Sequence, residues 1–299
     1  MTGLGNLIER NTKMYFKDKG IFFTSLITPL ILLVLYATFL ANVYKDSFMS
    51  AIPEFIKVSD ELVDAMVSGQ LFSSLLAVCT ITVAFCSNML MVQDKVTGAK
   101  KDLCVTPVKK STLALSYYIA TFISTMIICL VATLACLIYI YNTGWYMTVS
   151  DVGYILLDVF LLVMFGTALS SIINMFLSSQ GQISAVGSIV SSCYGFICGA
   201  YMPIASFSKG LQKVLSFLPG TYGTSILRNH ALRGVFEEMS SIGFPKEVVT
   251  GLRDAVDCNI YFFGDKVEIS SMYIYLASAV VILVAVYVIL NMVMKNKAK

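Results

Sequence analysis

Residues 69–92, GQLFSSLLAVCTITVAFCSNMLMV, run without a single charged side chain. A bilayer core about 30 Å thick requires about 20 consecutive apolar residues in a helix, so this stretch is long enough to cross one. The pattern then breaks at once. Residues 92–110, VQDKVTGAKKDLCVTPVKK, set five lysines beside a glycine and a proline before the next apolar run begins. A crossing joined to a short, charged, punctuated loop is the unit from which the rest of the chain can be read.

The composition agrees with that start. The chain has 57% hydrophobic and 13% charged residues, with a mean hydropathy of +0.80, well outside the range of soluble domains. Six runs have the length of a crossing: Ile21 to Val43, Gly69 to Val92, Thr112 to Tyr141, Val152 to Leu177, Ile183 to Met202 and Met272 to Met294. An even number puts both termini on one side, and the positive-inside rule selects the cytoplasmic one. On that assignment the inner pieces hold twelve basic residues against Glu9, Asp18, Asp94 and Asp102. The outer pieces hold the other nine basic residues against fourteen acidic ones. The first run comes after a basic segment as a signal peptide would, but it is too long for one and lacks a small-residue cleavage site, so it is expected to be retained. The absence of an Asn-x-Ser/Thr sequon is compatible with a bacterial plasma membrane,.

Residues 1–20 predict an amphipathic helix at the inner interface, with Leu4, Leu7, Ile8, Met14 and Tyr15 toward lipid and Arg10, Lys13 and Lys17 toward headgroups,. An external segment from Tyr44 to Ser68 contains Pro53, and the loop NTGWYMTVSD carries Trp145 and Tyr146 for an interfacial belt,. The region from Pro203 to Ser271 is too long for a turn. Apolar residues at helical spacing predict three helices there, in FSKGLQKVLSFLPG, YGTSILRNHALRGVFEEM and PKEVVTGLRDAVD, the first two suited to a re-entrant pair,. Of eight cysteines only Cys258 falls outside the cell, which leaves it no external partner, and no CxxC pair suggests a metal,.

In the loop, a helix over residues 94–104 would gather Val96, Ala99 and Leu103 on one face and Asp94, Lys95, Lys101 and Asp102 on the other,. Pro107 ends it and biases Thr106 toward extended backbone. Topology alone accounts for the lysines taken singly. It does not account for the glycine, the two-faced pattern and the Thr-Pro stop together.

The order Asp94-Lys95-x-x-Gly98-x-x-x-x-Leu103-x-x-Thr106-Pro107 resembles the loop of type 2 ABC-transporter permeases, although Ala99 and Lys100 depart from the residues usual there. The resemblance extends to Lys17-Asp18, to Pro29 in the first span and to LPGTYGTSILRNHALRG before the last span. It implies that the loop, residues 93–111, is a coupling helix seated in a separate ATPase subunit, with Asp94, Lys95, Gly98, Leu103, Thr106 and Pro107 as the coupling residues. It also implies two permease copies, identical or not, with the second and fifth spans lining the route between them. No GxxxxGK[ST] appears, so ATP would be held by the partner and no cofactor by this chain,.

The second span carries Ser73, Ala77, Thr80, Ala84 and Ser87 on one face, and the fifth carries Ser184, Ser188, Ser191, Gly195 and Gly199. Small residues let helices approach closely in lipid, so packing is the plainer reading of both stripes and a substrate pathway the sharper one. Asp158, about seven residues or roughly 10 Å into the fourth span, is a functional candidate or a structural partner. Catalysis finds no support. His230 is the only histidine, no GxSxG surrounds Ser225, and a surface or interfacial place is the expected one for the imidazole,.

The expectation is therefore an all-α membrane protein, one permease domain over residues 1–299, with six transmembrane helices, an interfacial helix at 1–20 and a helical external or re-entrant region at 203–271. Its expected work is outward transport of a drug-like, peptide or lipid-like substrate, as in multidrug and antibiotic-resistance exporters. Its expected partners are a P-loop ATPase, a second permease copy and lipid, not nucleic acid. A carbohydrate or polymer exporter and an ion-coupled transporter are the rivals, the latter requiring midplane ionisable groups.

Overall fold

The computed structural model describes residues 2–52 and 58–297. Met1, residues 53–57, Ala298 and Lys299 lie outside the described residues, and Pro53 of the expected external segment with them. Helix α1 (Thr2–Lys17) precedes α2 (Lys19–Leu35), which continues through a π-helical turn at Tyr36–Leu40 into α3 (Ala41–Ala51). Asp18 divides the first two by capping α2, its carboxylate accepting from the Ile21 amide at 3.1 Å,. Within α2, Pro29 has no N–H to give the Ser25 carbonyl.

Helix α4 (Asp60–Val96) is the axis of the molecule. Its most apolar stretch is entirely buried, and α2, α6 (Lys110–Thr143), α7 (Val149–Phe176) and α8 (Gln180–Ile197) surround it. Close approach explains the small residues. A side chain at Gly166 of α7 would strike the Thr80 carbonyl of α4, so the two backbones nearly touch there. Asn88 reinforces the same seam by donating to Ser170 and Ser171 at 3.2 and 2.9 Å, the polar bonding that holds helices together where apolar burial gives little drive.

Among the described residues, five helical stretches are long and apolar enough to cross a membrane: Lys19–Asp46, Asp60–Val96, Lys110–Thr143, Val149–Phe176 and Ile269–Val293. Each contains or overlaps an expected span. The remaining expectation, Ile183 to Met202, falls on α8, which stops at Ile197 after 18 residues and has glutamines at its first and third positions. The segment between the first two spans is also more helical than expected, since α3 carries the chain to Ala51 and α4 starts at Asp60.

Helix α1 lies along α6 instead of offering its whole apolar face to lipid. Leu7 and Tyr15, expected in lipid, are buried, as is Asn11 between them. Asn11 donates to Ser116 at 3.3 Å, and Tyr15 shares a 2.8 Å hydrogen bond with Ser25. Met14 and Phe16 keep an exposed face.

The three expected helices of the region before the last span are α9 (Lys209–Leu215), α10 (Pro219–Ser241) and α11 (Lys246–Ala255). A two-residue hairpin comes next, β1 (Tyr261–Phe262) against β2 (Asp265–Lys266), and α12 (Ile269–Lys297) closes the bundle. The expected re-entrant pair is unequal. Helix α10 is inserted between α4, α7 and α12, whereas Leu215 alone is buried in α9. The insertion is tight: Gly223 faces Leu162, and Gly234 lies against the Tyr146 backbone.

Candidate functional site

The charged loop is built from the end of α4 outward. Helix α4 stops at Val96, and Gly98 turns the chain with φ +87°, a left-handed conformation in which glycine meets no Cβ penalty,. A second helix, α5 (Ala99–Val105), then begins. The single helix expected over 94–104 is thus two, and its polar face is divided. Asp94, 3% exposed, points inward: Arg10 reaches it with both terminal nitrogens at 2.7 and 3.0 Å, and Tyr117 donates to it at 2.5 Å. The Asp94 carboxylate in turn holds the Arg10 guanidinium above its ordinary pKa. Lys95 donates to the carbonyls of Asn174, Met175 and Leu177 at 3.2, 2.7 and 3.0 Å. A cation there satisfies the open end of α7 and complements its dipole.

These contacts anchor the base of the loop, and α5 itself has no buried residue. Leu103 packs one side of α5 against a cluster that includes Leu7, Leu90, Met91 and Leu113. Thr106 donates to the Leu103 carbonyl at 2.6 Å and is extended before Pro107, so the stop is formed as expected,. Val105 is 88% exposed, and Thr106, Pro107 and Lys101 are also exposed. Burial and the nearby Lys110 charge draw the Lys100 amine below its ordinary pKa. Of the six expected coupling residues, then, Asp94 and Lys95 face the bundle, Gly98 is the elbow, Leu103 is the root, and Thr106 and Pro107 are free.

The second feature is a groove of about 950 Å³ between α2 and α8, with Cys86, Met89 and Gln93 of α4 at its floor. Ser184, Ser188 and Ser191 line it on the α8 side, and Thr24 and Thr28 face them from α2. Ser73, Thr80 and Ser87, for which packing was the plainer reading, are enclosed in the bundle. Ser73 and Thr80 donate to the carbonyls of Gln70 and Ala77 in their own helix at 2.9 and 2.8 Å. The α4 stripe serves packing, and the α8 stripe faces open volume.

Two buried clusters lie nearer the other end. Asp158 is 1% exposed and pairs with His230 Nδ1 at 2.7 Å, while Tyr273 donates to its second oxygen. Tyr154 stacks on the imidazole with ring centroids 5.0 Å apart. His230 is therefore not at the surface, because α10 carries it into the bundle against α7. Arg228, also 1% exposed, bonds Asp257 at 3.1 Å, Ser74 at 3.0 Å, the Val256 carbonyl at 3.0 Å and the Gly199 carbonyl at 2.5 Å. It ties α10 to α4, to the end of α8 and to the loop after α11. Sequence reasoning passed over its role. The available signal was the first of the two arginines of α10, Arg228, following a run of small and apolar residues, with Asp257 downstream.

Among the described residues, no group of three or more histidine, cysteine or acidic side chains is placed to hold a metal. All eight cysteines are unpaired.

Neither a curated protein nor a solved structure matches the chain. The sequence model of the ABC-2 type transporter family matches residues 2–231. That span takes in α1, the anchored loop, both walls of the groove and α10 as far as Ala231, and it covers most of the 299 residues. The chain belongs to the ABC-2 type transporter family and is a multi-pass membrane permease subunit.

Proposed function

We propose that this permease is half of the membrane body of an ATP-driven exporter, moving a drug-like, peptide or lipid-like substrate outward with energy from a separate P-loop ATPase. The observation that carries the reading is α5: a helix with no buried residue, placed at the end of α4, whose apolar stretch is enclosed, and fixed at its base by Asp94 and Lys95. A helix held firmly at one edge and bare on the other suits transmission of a push from a docked partner.

On this reading the termini and the 93–111 loop are cytoplasmic, α8 makes the sixth crossing, and a second permease copy completes the groove between α2 and α8. The apolar lining of that groove, interrupted by serines and threonines, supports an amphiphilic cargo,. Nucleotide closes the ATPase pair, α5 and the base of α4 are displaced, and the groove changes access. The partner must bind the two states with different free energies for this to work.

The test uses Val105, which is exposed and outside the apolar cluster. Val105→Asp should abolish capture of the cognate ATPase from co-expressing cells while the permease inserts and melts normally. Undiminished capture would reject α5 as the docking element. The ion-coupled alternative draws on the Asp158–His230 pair,. Transport that persists with an ATPase disabled in its P-loop would favour it.

A further inference from the structure

An aromatic patch stands beside the start of α12. Phe217, at the turn between α9 and α10, has its ring 5.2 Å from Phe262 and 6.0 Å from Phe263 of the hairpin. Phe263 is 62% exposed, Phe217 52% and Val214 of α9 59%. Their exposure is supported by structure: β1 and β2 pair, Phe263 adopts φ +53° and Gly264 φ +105° to close the turn, and Lys213 sits 5.6 Å over the Phe263 ring. A bulky residue at positive φ is uncommon, so the turn that projects Phe263 is held at a conformational cost.

The level of this patch is fixed by α12. Tyr275, in the second turn of that helix, donates to the Phe217 carbonyl at 2.7 Å, and its ring lies 4.9 Å from that of Tyr222. The apolar part of α12, Ile269–Val293, has 25 residues, and most of its apolar stretch is exposed, with Ile274, Val281, Ile282 and Ile289 open. At 1.5 Å per residue it is about 37 Å long, against a hydrocarbon core of about 30 Å. Its first turns therefore straddle the boundary between headgroups and acyl chains. The patch is continuous with the lipid-facing side of α12 through Tyr275 and Ile274, which is 70% exposed. Trp145 and Tyr141, with ring centroids 6.0 Å apart, stand at the same end of the α6–α7 hairpin, as a belt of aromatic residues does where bilayer meets water.

We infer that α9 and the β1–β2 hairpin form a membrane-interface foot: Val214, Phe217, Phe262 and Phe263 rest in the headgroup layer of the leaflet around the start of α12. Its ligand is phospholipid of the surrounding bilayer. Lys209, Lys213 and Lys266 are nearly balanced by Asp265 and Glu268, so apolar burial and aromatic placement hold the foot, not attraction to anionic lipid. The inference rests on the chain being a multi-pass membrane protein and is independent of the proposed direction of transport and of α5 docking.

The chain contains a single tryptophan, which makes the test direct. In full-length protein carrying Trp145→Phe, Phe263→Trp supplies one fluorophore at the hairpin, and Val214→Trp in a separate chain supplies one on α9. Each is reconstituted in phosphatidylcholine vesicles containing lipids with a nitroxide near the headgroup or near the bilayer midplane. The expected result is blue-shifted emission, stronger quenching by the headgroup nitroxide than by the midplane one, little quenching by aqueous iodide, and no change when anionic lipid is added. Iodide quenching without lipid quenching at both positions would place the patch in water. Protection from all three quenchers would mean that protein, such as a second copy, covers it. Either outcome overturns the inference.

Discussion

Arg10 and Asp94, 84 residues apart, meet in a two-point ion pair that fastens α1 to the base of the charged loop. The carboxylate is buried and also takes the Tyr117 hydroxyl. Removing the guanidinium leaves that charge with one neutral donor, and breaking a buried pair from one side costs about 3 kcal/mol or more. Arg10→Ala is expected to lose stability of that order and so to melt several degrees lower in detergent, and Arg10→Lys to recover only part of it, since an ammonium cannot reproduce the forked geometry. Differential scanning fluorimetry of the purified chains decides it. Equal melting of Arg10→Ala and the parent would show the pair to be energetically idle.

Gly98 isolates backbone strain from crowding. A Cβ at this position would meet no atom within 4 Å, yet φ is +87°. Gly98→Val should therefore cost about 1–2 kcal/mol through the left-handed conformation alone, and Gly98→Asn less. Because the strain falls at the elbow, limited proteolysis of the 93–111 loop should quicken for valine more than for asparagine. Identical cleavage in all three proteins would contradict it.

Arg228 holds α10 and the loop after α11 to α4 and to the end of α8, so its loss is expected to be the most damaging single change. Arg228→Met strands Asp257 in the interior and should cost about 3–5 kcal/mol. The double substitution Arg228→Met with Asp257→Asn should regain a part, because a neutral amide removes the unpaired charge, tolerates φ +53° and still accepts from the Ile204 amide,. A thermal-melting double-mutant cycle measures the coupling, and strict additivity would refute it.

The two serine stripes predict opposite outcomes. Thr80→Val, in the enclosed face of α4, should leave transport intact and change stability by less than about 1 kcal/mol, the usual scale for a hydroxyl bonded in a membrane helix. Ser188→Trp should leave melting unchanged and stop transport by filling the groove. Transport assays in vesicles with both variants test the assignment, and full transport by Ser188→Trp would remove the groove from the pathway.

Local chemistry made much of this architecture readable. Apolar length marked the crossings, and Thr106-Pro107 marked the end of α5. The polar interior was not readable, because its pairs are distant in the chain: Asp158 with His230 are 72 residues apart and Arg228 with Asp257 are 29. Neither partner announces the other by spacing. The helix of α10 was legible as one of a re-entrant pair, but not the partners that its arginine, asparagine and histidine find inside the bundle. At residues 94–104 periodicity misled, since one glycine in a left-handed turn divides what an unbroken helical wheel joins.

The Arg228 side chain also joins Ser74, well inside α4, to the Gly199 carbonyl just past the end of α8. That makes it a pivot. For any swing of α8 about this point, travel grows with distance along the helix, and Gln180 at the far end lies roughly 27 Å away at the helical rise. In such a swing the mouth beside the charged loop would sweep widest, and the end held by Arg228 least.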